Sequence, residues 1–519
     1  MREAACRLLP PAVERRVRIG ELLGALSIAT DLAAGVPLET SLRTCLLATR
    51  LARRLGLREL VEVRRVTLLR HLGCTAYSHE AARLAGGDDH DLLTSYAGVD
   101  RGRRGAVVGR TIRQLAHQAP LGQRLAAVAR VMSHPSAGAS LVAAHCTQAV
   151  ALAGDLEMPS PVIAALGQIY ERSDGRGGPA GLAGDAIRPS ARVLHVAELV
   201  EIVHRTRGRD AAIDEVRRRR GSHLDSEVAD AFLADAGSSW SALEATSVWE
   251  VYLDDEDDHD ARIDIETVAR AFGRYADLKS PYALGHSSAV AELAARATEA
   301  PDAVSRVRVA ALLHDLGSVS VPNGIWDKPG PLNAAEWERV RLHGYHTERI
   351  LARTPLLAEV AVIAGSHHER FDGSGYHRGV NAAMLDRDAR VIAAADAYQA
   401  MREPRAYRAA RTPTEAAAAL AEDARAGRLC QRAVDAVLGA AGHEVSRGTL
   451  PAGLTPREVE VLVQLARGRT NKEIASALDI AVRTANHHVE NIYAKIDVTT
   501  RAAAALFAVR HELVSPSSR

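Results

Sequence analysis

The sequence predicts an all-α protein, with two tandem helical bundles followed by a small four-helix tail. Three observations predict it. Aromatic residues make up only 4% of the 519 residues, and the Ala, Leu, Val and Arg that dominate favour helices over β-sandwiches. Apolar residues recur with helical periodicity between Gly, Pro and Asp clusters. A repeat is also present: residues 171–181 read ERSDGRGGPAG and residues 369–379 read ERFDGSGYHRG, at an offset of 198.

The repeat extends further. Ala191-Arg192-Val193 matches Ala389-Arg390-Val391, and His145 falls on His343. Upstream the offset becomes 244, where LLRHLG (68–73) matches LLHDLG (312–317) and Leu42 falls on His286. The two copies are expected over 19–245 and 262–445. Between them lies an acidic linker, 246–261, containing DDEDDHD (254–260). A Pro/Gly-bearing linker, 446–453, precedes a compact tail, 454–514.

Near-zero net charge (+1) excludes a polybasic or polyacidic scaffold. The five cysteines form no CxxC pair, which argues against a disulfide framework and a thiolate zinc site. Charges interrupt every apolar run, so neither a membrane span nor a signal peptide is expected. The composition reads as a soluble cytoplasmic protein.

The second copy concentrates metal-binding side chains: His286, the pair His314-Asp315, His343, the pair His367-His368, and Asp396. Imidazole and carboxylate suit divalent transition metals. An adjacent His-Asp pair offers a nitrogen to one ion and a carboxylate that reaches two. Two ions together activate water and stabilise an in-line phosphoryl displacement. Taken singly, each histidine reads equally as a core or surface residue.

In order, ALLHDLG, HGYHTERIL, SHHERFDGSGYHRG and AAADAYQAMREPRAYR resemble the HD-GYP subgroup of HD-domain phosphohydrolases over residues 262–445. The resemblance implies HD-like bundles and a two-metal centre of iron or manganese type. It also implies hydrolysis of a cyclic dinucleotide such as cyclic di-GMP, or another phosphodiester nucleotide. His286, His314, Asp315, His343, His367, His368 and Asp396 become ligands, with His314 and Asp315 the catalytic pair. Tyr376, Arg405 and Arg408 become substrate contacts. The chain departs from the family at Ser318, where a Lys is usual, and at His377, where the GYP proline is missing. The first copy carries Leu42, Arg70, His71, Ile169, Tyr170 and Glu198 at the matched positions and keeps only His145 among the histidines. It is expected to be a packing half, or a ligand-binding pseudo-domain without catalysis.

The tail begins with Thr455 as a helix cap, Pro456 at the first position and Glu458 three residues after the cap. Further helices are expected over 471–478, 482–496 and 501–510. From LTPRE through NKEIA to KIDVTTR it resembles the LuxR-type helix-turn-helix domain, which implies that residues 482–496 read DNA. Asn486, His487 and Glu490 would face bases. Thr484, Lys495, Thr470, Asn471, Lys472 and Arg501 would lie near phosphates. Its eight basic and seven acidic residues give little long-range attraction to DNA, so binding is expected to need a homodimer on two half-sites. Three readings follow: a nucleotide-responsive DNA-binding regulator, a working phosphodiesterase whose tail only localises it, or a non-catalytic metal-bound sensor.

Overall fold

In a computed structural model of the chain, the described residues are 19–85, 88–95, 98–100, 102–114, 120–133, 136–244, 247–255, 264–444, 451–511 and 513–514. They are helical, with isolated β-bridges and no strands among them. The chain divides into a large unit up to Ala441 and a small one from Gly442. Among the described residues no single helix is long and apolar enough to cross a membrane.

The large unit holds both copies, and six helices of the first return in the second, while the first carries an extra helical segment, residues 78–133, between its third and fourth shared helices. Ile19–Ala33, Thr40–Arg54, Leu60–Leu69, Ala137–Asp155, Ser160–Leu166 and Pro189–Arg207 return as Ile265–Asp277, His286–Ala297, Val304–Leu313, Ala334–Leu351, Pro355–Gly365 and Arg387–Arg402. The same side-chain device ties the first helix to the second in each copy. Asp31 accepts from the backbone N–H and hydroxyl of Ser41, and Asp277 accepts from those of Ser287. Both second helices start after a left-handed residue, Glu39 or Gly285. These pairings lie 246 apart, so Thr40, not Leu42, stands opposite His286. The two-residue difference is absorbed between the second and third helices.

The repeated ER-DG-G segment is a loop with its own clamp. Buried Glu171 accepts from the backbone N–H groups of Ala180, Gly181 and Leu182, and buried Glu369 accepts from that of Arg378. A Cβ on Gly375 would lie 2.5 Å from Glu369 Cα. This motif therefore shapes the backbone, which explains its presence in both copies.

The span 246–261, expected as a linker, is partly folded. Ser247 caps a helix, Val248–Asp254, whose buried Tyr252 donates its hydroxyl proton to the Gly20 carbonyl. Asp255 pairs with Arg53 and Arg64. The aromatic residue and the two ion pairs fasten this segment to the first copy. The acidic run itself, from 256 onward, lies outside the described residues, as do the first 18 residues and 446–450 of the second linker.

The small unit follows its sequence signals closely: Pro456–Ala466, Asn471–Ala477, Val482–Lys495 and Arg501–Arg510. Thr455–Glu458 and Thr470–Glu473 both form capping boxes. Val461, Leu462, Leu465, Ile474, Ala485, Val489 and Ile492 close its core.

Candidate metal centre and DNA-reading helix

The second copy brings its seven candidate ligands together from five places in the chain. His286 opens one helix; His314 and Asp315 sit where another ends. His343 lies mid-helix, His367 and His368 follow the end of Pro355–Gly365, and Asp396 lies mid-helix in Arg387–Arg402. The approach is close because residue 317 is Gly: a Cβ there would lie 2.1 Å from the His343 carbonyl oxygen.

Asp315 straddles two nitrogen sets. Its Oδ1 lies 3.4 Å from Nε2 of both His343 and His367. Its Oδ2 lies 3.6 Å from His314 Nε2 and 3.9 Å from His286 Nε2. Asp396 Oδ1 stands 3.2 Å from His286 Nε2, and its Oδ2 3.7 Å from His368 Nδ1. Two groups within coordinating reach result: Asp315 with His343, His367 and His368, and Asp315 with His286 and His314.

The imidazoles are oriented for coordination. Nδ1 of His314, His343 and His367 meets the carbonyls of Ala311, Val340 and Ala364 at 2.7, 2.5 and 2.7 Å. A donated Nδ1 proton leaves the Nε2 lone pair facing inward. Buried His314 Nε2 and His368 Nδ1 have no hydrogen-bond partner, an expensive arrangement for a protein interior unless an ion satisfies it. Burial holds His343 down at about 4, and burial together with His367 holds His368 well below the ordinary histidine range. Burial opposes ionisation of Asp315, yet His314, His367 and His343 hold its carboxyl well below the usual range. Three imidazoles held toward their neutral form (His314, His343 and His368) and an ionised carboxylate around orphaned nitrogens make a donor set that suits a divalent ion.

One residue here is absent from the sequence prediction. Glu403 meets His286 Nδ1 at 2.9 Å on the side away from Asp396. Burial opposes a proton on His286, but Asp396 and Glu403 raise its pKa to about 10. The signal in the sequence was slight, a lone acid between Arg402 and Arg405. Arg405 reaches the same carboxylate at 3.1 Å. Arg408 does not join the cluster; its guanidinium donates to the carbonyls of Ala400 and Glu403 at the end of a helix. Tyr376 lies against His368, ring centroids 4.4 Å apart. The Ser318 carbonyl accepts from the Trp326 indole.

Among the described residues the first copy holds no such set. Arg70, 2% exposed, occupies the place of His314 and donates to the Ser41 hydroxyl at 2.9 Å. Its Nε lies 3.5 Å from Glu198, the counterpart of Asp396. His71 lies 3.7 Å from Asp31.

In the tail, Thr484, Asn486, His487 and Glu490 are exposed on Val482–Lys495. Asn471 donates to the Asn486 side chain at 2.8 Å, linking the two helices of the motif. Lys472 is exposed, and Thr470 is a helix cap. Two expected phosphate contacts are engaged within the fold: Lys495 with Glu458 and the Gly453 carbonyl, Arg501 with the carbonyls of Leu465 and Arg469.

The HD domain model matches residues 135–228 and 270–429, one stretch in each copy. The "3'3'-cGAMP-specific phosphodiesterase 3" of Vibrio cholerae is 30% identical over 419 residues, covering 78% of this chain and 90% of its own. The chain belongs to the HD-GYP family of HD-domain phosphohydrolases. A crystal structure of a cyclic GMP-AMP specific phosphodiesterase from V. cholerae superposes with a TM-score of 0.54 at 24% identity, covering 82% of this chain and 97% of that one, and supports the fold. Residues 452–508 match the luxR family of bacterial regulatory proteins. The transcriptional regulatory protein YhcZ of Bacillus subtilis is 52% identical over 60 residues, 12% of this chain and 28% of its own. This HD-GYP protein is thus a regulator that joins a metal-dependent phosphohydrolase module to a LuxR-type DNA-binding domain.

Proposed function

We propose that the second copy hydrolyses a 3',3'-cyclic dinucleotide at a two-metal site and that this nucleotide governs DNA binding by the tail. The observation that carries the proposal is Asp315, one carboxylate between two nitrogen sets (Oδ1 toward His343 and His367, Oδ2 toward His314 and His286). A relative that spans 78% of this chain is named for 3'3'-cGAMP, which supports this substrate class.

Bound iron or manganese ions would activate water and neutralise phosphoryl charge. His343, His367 and His368 would hold one ion, His286 and His314 the other, with Asp315 and Asp396 completing the set. Glu403 keeps the His286 ring oriented. Arg405, on Glu403, places a guanidinium at the edge of the centre for a substrate phosphate. The reaction adds water across one phosphodiester: the water oxygen bonds to phosphorus, the bond to a ribose oxygen breaks, and a linear dinucleotide leaves. Asn486, His487 and Glu490 would read bases, with Thr484 and Lys472 beside phosphates. Dimerisation would supply the second half-site, and such a regulator works in the cytoplasm, beside the chromosome.

The test is incubation of the full-length protein, loaded with Mn²⁺ or Fe²⁺, with cyclic di-GMP and 3'3'-cGAMP. Linear product is expected, and His314→Ala and Asp315→Ala are expected to abolish it. Metal binding without turnover would favour the sensor reading. That reading has its own observation: Ser318 supplies no cation where the family's Lys stands.

A further inference from the structure

Beside the metal centre a cleft of about 330 Å³ is lined by Ala334, Trp337, Glu338, Arg341, Ser374 and Tyr376, within the size range of small-ligand sites. Tyr376 belongs to both places, touching His368 and His343 while lining the cleft. Trp337, 42% exposed, stands one turn before Arg341 on the helix that carries His343. An exposed indole and a phenol lining one cleft offer aromatic surface to a planar base. Glu338 and Arg341 pair with each other at 3.1 Å, with 68% and 49% of their side chains exposed. Such a surface pair contributes little stability, so either partner turns to a ligand at small cost.

We infer that this cleft is a guanine-selecting subsite for the base next to the scissile phosphate, an inference resting on the phosphodiesterase reading. A carboxylate accepts from guanine N1–H and N2–H, and a guanidinium donates to O6 and N7. Adenine offers a donor where Arg341 needs an acceptor, and no hydrogen on N1 for Glu338.

The test uses the full-length chain after chelation, titrated with guanosine and adenosine and read by tryptophan fluorescence. Neither nucleoside carries a phosphate, so metal-dependent contacts play no part. Guanosine is expected to bind about tenfold tighter than adenosine, with the quenching lost in Trp337→Ala and the preference lost in Glu338→Gln. In the metal-loaded enzyme Trp337→Ala is expected to raise KM about tenfold with kcat little changed. Equal affinity for the two nucleosides, or unchanged quenching in Trp337→Ala, overturns the subsite. Absent turnover by the wild type, with the guanosine preference intact, overturns the phosphodiesterase reading and leaves the subsite standing.

Discussion

The two copies share one scaffold and differ in how they balance buried charge. In the second, the carboxylates of Asp315 and Asp396 face five imidazoles, two of them with a buried nitrogen that has no partner. In the first, Arg70 stands at the place of His314, and its guanidinium faces Glu198 at the equivalent position, nearer the surface. A fixed covalent cation stands where the proposed centre would hold an exchangeable one. The deeper carboxylates behave alike: burial pushes Asp31 up to about 6 and Asp277 up to about 7, each on a serine. The scaffold is therefore retained on both sides, while the chemistry depends on a few substitutions at its centre.

The sharpest break is the loss of the bridge. Asp315→Asn should remove bound metal and hydrolysis together, read by elemental analysis and product formation, while Arg70→Ala should leave both unchanged. Next comes Glu403→Gln, which leaves the ligands in place but loosens the His286 ring. A loss of about 10–100-fold in metal affinity or turnover is expected, and an unchanged value would remove Glu403 from the centre. Third, Arg70→Ala should destabilise the fold by roughly 2 kcal/mol in denaturant unfolding, less than a fully buried pair because Glu198 is a third exposed. Chelation should have the complementary effect, lowering the melting temperature of the wild type but not of Asp315→Asn. The last effect is in pH. Burial holds His195 of the first copy at about 4. The unfolded chain takes up this proton near 6.5 and the folded chain only near 4, so stability should fall as pH drops through that window. His195→Phe should flatten the slope.

Much of this was legible in sequence because the relevant signals are local. The Thr455, Pro456 and Glu458 signal marked the start of the tail's first helix, and the His-Asp and His-His pairs stood out as adjacent donors. Three features were not. The register at His286 depends on which loop lost two residues, and only the Asp-to-Ser tether between helices settles it. Helix 248–254 hides in an acid-rich stretch because Tyr252 anchors it by contacts more than 200 residues away in sequence. Glu403 and the Trp337 cleft arise from neighbours brought together by folding, which no spacing rule reports.

The seam between the copies shows why the inert one persists. Lys279 of the second copy is 2% exposed, and its ammonium lies 2.9 Å from fully buried Asp89, at the start of the first copy's helix Asp89–Ser95. Asp89 also accepts from the Asn323 backbone, and His79 meets Asp327 at 2.7 Å. Cut away from its neighbour, the second copy would be left with a buried ammonium and a buried backbone N–H that have lost their carboxylate. The first copy thus serves the second as its counter-ion.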